Sequence, residues 1–165
     1  MDRKYTVLSH KKYARIVVAL FAEFLPGKSH VPMDTVMGPK LSVLMGLDTA
    51  ASQAIMAKMP YRQLLGSLMY LFVSTRLDLG LLLSRLSFFS LNPGMAHWNA
   101  ALKILAYVAE TPDVGVLYRR SATAKLNGVT DASFAGDPDK RRSQGGYLYL
   151  IGEVRSPGNL TESPL

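Results

Sequence analysis

The tract from Leu64 to Leu91 constrains the fold most. It is the most hydrophobic part of the chain, yet Arg76, Asp78 and Arg85 interrupt it. The longest uncharged piece here, Gln63 to Thr75, falls short of the ~20 apolar residues that a membrane-spanning helix needs. Helices that bury one another satisfy such a tract instead. YRQLLGSLMYLFVST, Tyr61 to Thr75, is helical in composition apart from Gly66, and Asp78 to Phe89 predicts a second helix closed by Asn92-Pro93-Gly94. The helix after it is the clearest of the chain. Trp98, Leu102, Leu105 and Ala109 recur at alternating four- and three-residue steps, and Asn99, Lys103, Ala106 and Glu110 form a poorer face at the same spacing. Thr111-Pro112-Asp113 stops it.

Upstream, Tyr5 to Leu8 reads as a short strand, with Ser9 as the N-cap of a helix from about His10 to Phe24 that Pro26-Gly27 ends. Lys28 to Pro60 reads as a long connection with one short helix near Ala50 to Lys58. Beyond the third helix the character changes. Val114 to Tyr118, Lys125 to Thr130 and Gly146 to Ile151 are short β-rich runs between polar turns, so a boundary is expected between residues 111 and 125. Gly152 to Leu165 carries two prolines and two glycines without periodicity and reads as a loose tail.

An apolar fraction of 48% with 19% charged residues is that of a packed chain. Nineteen Lys and Arg against 12 Asp and Glu give a net charge of +7, which suits a polyanionic partner but is equally found in small basic proteins that bind none. The absence of cysteine excludes disulfides and thiolate metal sites, and it fits a reducing intracellular compartment, cytoplasm or nucleus. The opening MDRKYTVLSHKKYARIV has no long apolar core behind a basic flank and is not a signal peptide.

Chemistry concentrates in KLNGVTDASFAGDPDKRRSQGGYLYLI, residues 125–151, where Asp131 closes a strand-like run. A carboxylate at a strand end is where a divalent-metal site of a nuclease begins, but one carboxylate cannot hold two metal ions. The same spacing suits a turn-forming Asp, and Asp137 and Asp139 read as turn residues. Lys140, Arg141 and Arg142 form a dense positive patch at the tip of a hairpin, placed to touch phosphates or simply to keep a loop solvated. Lys11, Lys12 and Arg15 read as a solvated helix face. His97 beside Trp98 has no second His or carboxylate at ligand spacing, so it reads as an N-terminal helix residue with Trp98 in the core. Tyr61-Arg62, and Thr75-Arg76 with Asp78, read as a buried polar linkage between consecutive helices. No phosphate loop, catalytic triad or Cys-based motif occurs.

Several of these blocks, in order, resemble the Pol polyprotein of copia-type LTR retrotransposons. The family's Tyr-Arg, Gly-Ser-Leu-x-Tyr-Leu and Thr-Arg-Pro-Asp are matched by Tyr61-Arg62, Gly66-Ser67-Leu68-Met69-Tyr70-Leu71 and Thr75-Arg76-Leu77-Asp78, with Leu77 in place of proline. The block of Leu-Ser-Arg-Phe, a proline, His-Trp and a helix ending in Tyr-Leu-Lys-Gly-Thr is echoed by Leu86-Ser87-Phe88-Phe89, Pro93, His97-Trp98 and Ile104 to Thr111. Phe88 replaces its arginine and Glu110 its glycine. Leu8-Ser9-His10-Lys11-Lys12-Tyr13 resembles Leu-Ser-Gln-x-x-Tyr. Ser-Asp-Ala-Asp-Trp-Ala-Gly, followed by Arg-Arg-Ser-x-x-Gly-Tyr, is met by Thr130 to Gly136 and by Arg141-Arg142-Ser143 to Gly146-Tyr147. Ser133 and Phe134 stand where the family has Asp and Trp.

The resemblance implies an α+β chain. Residues 1–112 would be the C-terminal, mainly helical region of a reverse transcriptase, thumb- or connection-like. Residues 113–152 would be the first strands of an incomplete ribonuclease H-like sheet, and 153–165 an unstructured tail. It makes Asp131 the first metal-binding carboxylate of ribonuclease H, with Mg²⁺ as the cofactor of the intact family, where two metals activate water and stabilise the leaving oxygen during cleavage of RNA in a hybrid. RNA, DNA or their hybrid and the remainder of the Pol polyprotein are the implied partners, with no membrane. The polymerase's paired-Asp hairpin would precede Met1, the further carboxylates of ribonuclease H would follow the second strand, and no adjacent Asp pair occurs in the chain. The expectation is therefore a polyprotein remnant without a complete active site. A noncatalytic nucleic-acid-binding or interaction protein is the second reading, and a piece too open-edged to be stable is the third.

Overall fold

The computed structural model describes residues 5–32, 41–42, 49–119, 126–133, 144–151 and 154–155. Strand β1, Tyr5–Leu8, leads into helix α1, Lys11–Leu20, and a 3₁₀ turn, Ala22–Phe24. Helices α2, Ala50–Met56, α3, Tyr61–Ser74, α4, Gly80–Ser87, and α5, Met95–Glu110, follow, with a second 3₁₀ turn, Leu77–Leu79, ahead of α4. Strands β2, Val116–Arg119, β3, Leu126–Ser133, β4, Gln144–Ile151, and β5, Val154–Arg155, complete the described elements. The α+β class expected from the sequence is the one observed.

α3 buries Tyr61, Leu64, Leu65, Leu68 and Leu71, the three- and four-residue recurrence of a helix with one apolar stripe. Gly66 lies on the opposite, exposed side, where a Cβ would meet nothing, so the glycine inside the helix costs packing nothing there. Leu79, Leu83 and Leu86 from the α4 segment and Ala14, Val17 and Phe21 from the α1 segment close on that stripe. α5 runs against α1, α3 and α4. It therefore buries more of its circumference than one stripe: Ala101, Ile104, Ala106 and Val108 are enclosed as well as Trp98, Leu102 and Leu105. Ala106, expected on the poorer face, is enclosed, because neighbours approach α5 from more than one side and a methyl group lets them come close. Asn99 and Glu110 remain exposed, as expected.

Some boundaries differ from those expected. His10, not Ser9, precedes α1, and it makes no side-chain capping bond. The helix expected to reach Phe24 ends at Leu20, where the backbone at Phe21 (φ −112°, ψ 20°) leaves the α region and tightens into the 3₁₀ turn, with Phe21 itself buried. The turn after it uses Gly27 at φ +114°, a conformation that favours glycine. The helix expected from Asp78 opens with the 3₁₀ turn Leu77–Leu79 before α4 proper.

β1 and β2 pair antiparallel from Tyr5↔Arg119 to Leu8↔Val116, so the first strand closes on the strand that follows the last helix. That pairing crosses the boundary expected at 112/113. Gly115 makes the approach: a Cβ there would stand 2.2 Å from the Leu8 carbonyl oxygen, and only hydrogen fits. β5 adds to the other edge of β2 through Leu117↔Arg155 and Tyr118↔Val154. The expectation of an unstructured tail over 153–165 is thus corrected at Val154–Arg155, where an extended pair finds free backbone groups on β2. β3 and β4 form a separate antiparallel pair from Leu126↔Ile151 to Ser133↔Gln144. Among the described residues no helix is long and apolar enough to cross a membrane.

Candidate functional site

Asp131 lies inside β3, not at its end. The ladder continues to Ser133↔Gln144, so Asp131 is a paired residue opposite Gly146. Alternation along a strand puts it on the face of Asn127, Val129 and Leu150, while Leu126, Gly128, Thr130, Tyr147 and Tyr149 share the other face. With glycine across from it, the carboxylate is exposed. Among the described residues no three His, Asp or Glu side chains stand close enough to hold a metal ion together. Magnesium requires near-octahedral oxygen coordination, and a lone strand carboxylate does not fit that demand. Lys140, Arg141 and Arg142, expected at the hairpin tip, lie outside the described residues, as do Asp137 and Asp139.

The face opposite Asp131 carries a feature that the sequence reading did not single out. Tyr147 and Tyr149, two apart on β4, are 78% and 64% exposed, with ring centroids 5.8 Å apart. Gly128 lies across from Tyr149, and a Cβ there would stand 3.1 Å from the Tyr149 ring, so the ring lies over bare backbone. The YLY alternation was the available signal.

The polar residues between the helices form a built constellation. Arg76, 2% exposed, sits where α3 ends. Its Nε and Nη2 donate to the two carboxylate oxygens of Asp78 at 3.0 and 2.8 Å, and its Nη1 and Nη2 donate to the Thr111 carbonyl and hydroxyl at 2.9 and 3.1 Å. The guanidinium also lies over the Tyr107 ring, 5.1 Å from its centroid. One planar donor fork therefore ties the end of α3, the turn before α4 and the C-terminus of α5, a task that a lysine's point charge cannot perform. Burial, with the Asp78 charge, raises the pKa of the Tyr107 phenol. Arg76 and Asp78 form the buried linkage expected of them, but the buried Thr75 hydroxyl has no hydrogen-bond partner among the described residues, and the second linkage, from Tyr61 and Arg62, is buried only at Tyr61. The Tyr61 hydroxyl donates to the Leu86 carbonyl at 2.9 Å, and Arg62 Nε donates to the Ser90 carbonyl at 2.9 Å. Burial drives the Tyr61 phenol pKa well above its ordinary value.

His97 is fully buried and its ring stacks on Phe89. Nδ1 accepts from the Gly94 N–H at 2.9 Å, satisfying a donor at the start of α5, and this leaves Nε2 as the protonated nitrogen facing the Ser42 carbonyl at 3.1 Å. Both ring nitrogens are occupied by backbone, so His97 anchors the helix start and is not a free ligand. Trp98 is core, packed edge-to-face on Phe24.

On α1, which carries no acidic residue, Lys11, Lys12, Arg15, Ile16 and Ala19 line an open recess along consecutive turns of the outer surface. Lys11 is paired with Asp113. Lys12 and Arg15 are exposed and have no ion-pair partner among the described residues.

No family model and no solved structure matches the chain. Among curated proteins, it is 38% identical over 146 residues to the retrovirus-related Pol polyprotein from transposon TNT 1-94 of Nicotiana tabacum, a match covering 87% of this chain and 11% of the polyprotein. It is 34% identical over 149 residues to the Pol polyprotein from transposon RE2 of Arabidopsis thaliana, covering 88% and 9%. A shorter relative, secreted RxLR effector protein 161 of Plasmopara viticola, is 43% identical over 96 residues, which are 58% of this chain and 68% of that protein. The chain thus spans about a tenth of the length of the Pol polyproteins it matches. With the ordered sequence blocks and these alignments over most of its length, the chain belongs to the copia-type retrotransposon Pol family, of whose polyprotein it carries a segment.

Proposed function

We propose that this segment joins the C-terminal helical region of a reverse transcriptase to the opening strands of a ribonuclease H-like sheet, and that as a 165-residue chain it binds nucleic acid without cleaving it. The observation that carries the reading is the setting of Asp131: an exposed carboxylate in a paired strand, with no three-donor cluster among the described residues. Two-metal cleavage needs several carboxylates converging on one point, and one carboxylate supplies a fraction of that field. The helical residues support the other half of the reading. Arg76, Asp78 and Thr111 belong to the blocks that resemble the family, and each is spent on holding helices together rather than on chemistry.

The test is incubation of the full chain with an RNA:DNA hybrid and Mg²⁺, alongside Asp131→Asn. The expected result is no cleavage by either protein and magnesium binding too weak to saturate. Cleavage abolished by Asp131→Asn would sink the reading.

A further inference from the structure

We infer that the outer edge of β4 pairs antiparallel with the β4 of a second copy of this chain, joining two hairpins into one four-stranded sheet. The inference goes beyond the reading above and does not depend on nucleic-acid binding.

β3 and β4 form a two-stranded sheet, so among the described residues β4 is hydrogen-bonded on the side of β3 alone. Its other edge presents a row of backbone N–H and C=O groups along an unbroken eight-residue ladder. Such an edge is ordinarily blunted by a charged side chain, a proline or a bulge, and QGGYLYLI has none of these. A two-stranded hairpin is marginal by itself, and further strands supply what it lacks.

Three features select a second copy as the occupant. The first is register. Antiparallel pairing centred on Leu148 sets Tyr147 opposite Tyr149 of the second copy, and Tyr149 opposite its Tyr147, which gathers four exposed rings on one face. The same register sets Gly146 opposite Leu150, small against large. The second is charge. A chain of net charge +7 repels its copy, but this pairing sends the two connections that carry Lys140, Arg141 and Arg142 out of opposite ends of the sheet. They leave about 27 Å apart along the strands. The third is closure. β3 carries the exposed carboxylate of Asp131 inside its ladder, a charge that opposes strand addition on that side, so growth stops at the dimer. An eight-residue edge buries less than a standard interface, so the dissociation constant is on the order of 0.1 mM and the chain is a monomer at micromolar concentration.

The experiment is sedimentation equilibrium of the full chain from about 10 µM to about 1 mM, with Tyr147→Lys/Tyr149→Lys beside it. The wild type should pass from monomer to dimer. The double variant, which sets four ammonium groups on one face, should dimerise at least about 10-fold more weakly, with the helical circular dichroism unchanged because both rings are exposed. Added salt should strengthen the wild-type dimer by screening the repulsion of two positive chains. The chain has no cysteine, so Leu148→Cys gives a second readout: on the two-fold axis it should crosslink to itself under mild oxidation, whereas Val129→Cys, exposed on β3, should not. A wild type monomeric at every concentration overturns the inference. So does a dimer that the double variant leaves intact, one that dissociates in added salt, or one in which Leu148→Cys crosslinks no faster than Val129→Cys. Assemblies larger than a dimer overturn the closure at β3.

Discussion

The helical body and the β3–β4 hairpin solve the burial problem in opposite ways. Leu64, Leu68, Leu83, Leu86, Ile104 and Leu105 are each 0% exposed, because α1, α3, α4 and α5 turn their apolar stripes toward one another. In the hairpin, Leu126, Val129, Tyr147 and Tyr149 keep 56% to 78% of their surface in solvent. Register puts Leu126 and the two tyrosines on one face and Val129 with Leu150 on the other, so apolar residues stand on both sides. A strand pair written that way is patterned for the interior of a layered sheet, whereas helices with one stripe close on each other unaided. Among the described residues no other element packs extensively against either strand. The difference separates the part of this Pol segment that supplies its own core from the part that presents Asp131 without one.

The largest effects that sharpen this contrast are in the helices. Trp98→Ala should cost about 3–5 kcal/mol in urea unfolding, since a 3% exposed indole leaves a cavity between α5 and Phe24. Arg76→Ala follows at about 3 kcal/mol, at the low end for a buried pair because the Asp78 side chain retains 24% exposure and can be partly rehydrated. Arg76→Lys should recover little, as an ammonium cannot span Asp78 and both Thr111 oxygens.

Tyr61→Phe should cost about 0.5–1.5 kcal/mol by removing one of the two donors to the Leu86 carbonyl, which keeps the bond from the Phe89 N–H. It also has a pH signature. Burial raises the folded-state pKa of Tyr61 above the ordinary value of 10.0, so its contribution is fully present below pH 10 and is lost as pH rises toward the folded value. Thermal melts across alkaline pH should therefore fall more steeply for the wild type than for Tyr61→Phe. The smallest effects belong to the hairpin: Tyr147→Ser and Tyr149→Ser should each change stability by no more than about 0.5 kcal/mol, because neither ring is buried. A cost of several kcal/mol would show that the tyrosines are covered and break the comparison.

Local signals made the helical body readable. The stripe Tyr61, Leu64, Leu65, Leu68 and Leu71 is periodic in the sequence, and Thr111-Pro112-Asp113 ends α5 where it was expected to. What stayed hidden depends on partners far along the chain. Ala106 is buried because several helices crowd α5, which its own periodicity does not record. β1 pairs with β2 across more than a hundred residues, and β5 emerges only because β2 offers an edge. For the candidate site, Asp131 was legible as a strand residue, but its position inside the ladder was not, since the strand's length is set by pairing with Gly145 and Gly146.

Hydrogen exchange on the full chain, read by mass spectrometry over α3, α5, β3 and β4, tests the central contrast most directly. Amides around Leu68 and Leu105 should exchange only through global unfolding, while those of β3 and β4, Asp131 included, should exchange orders of magnitude faster through local opening. Equal protection in both regions would contradict the account.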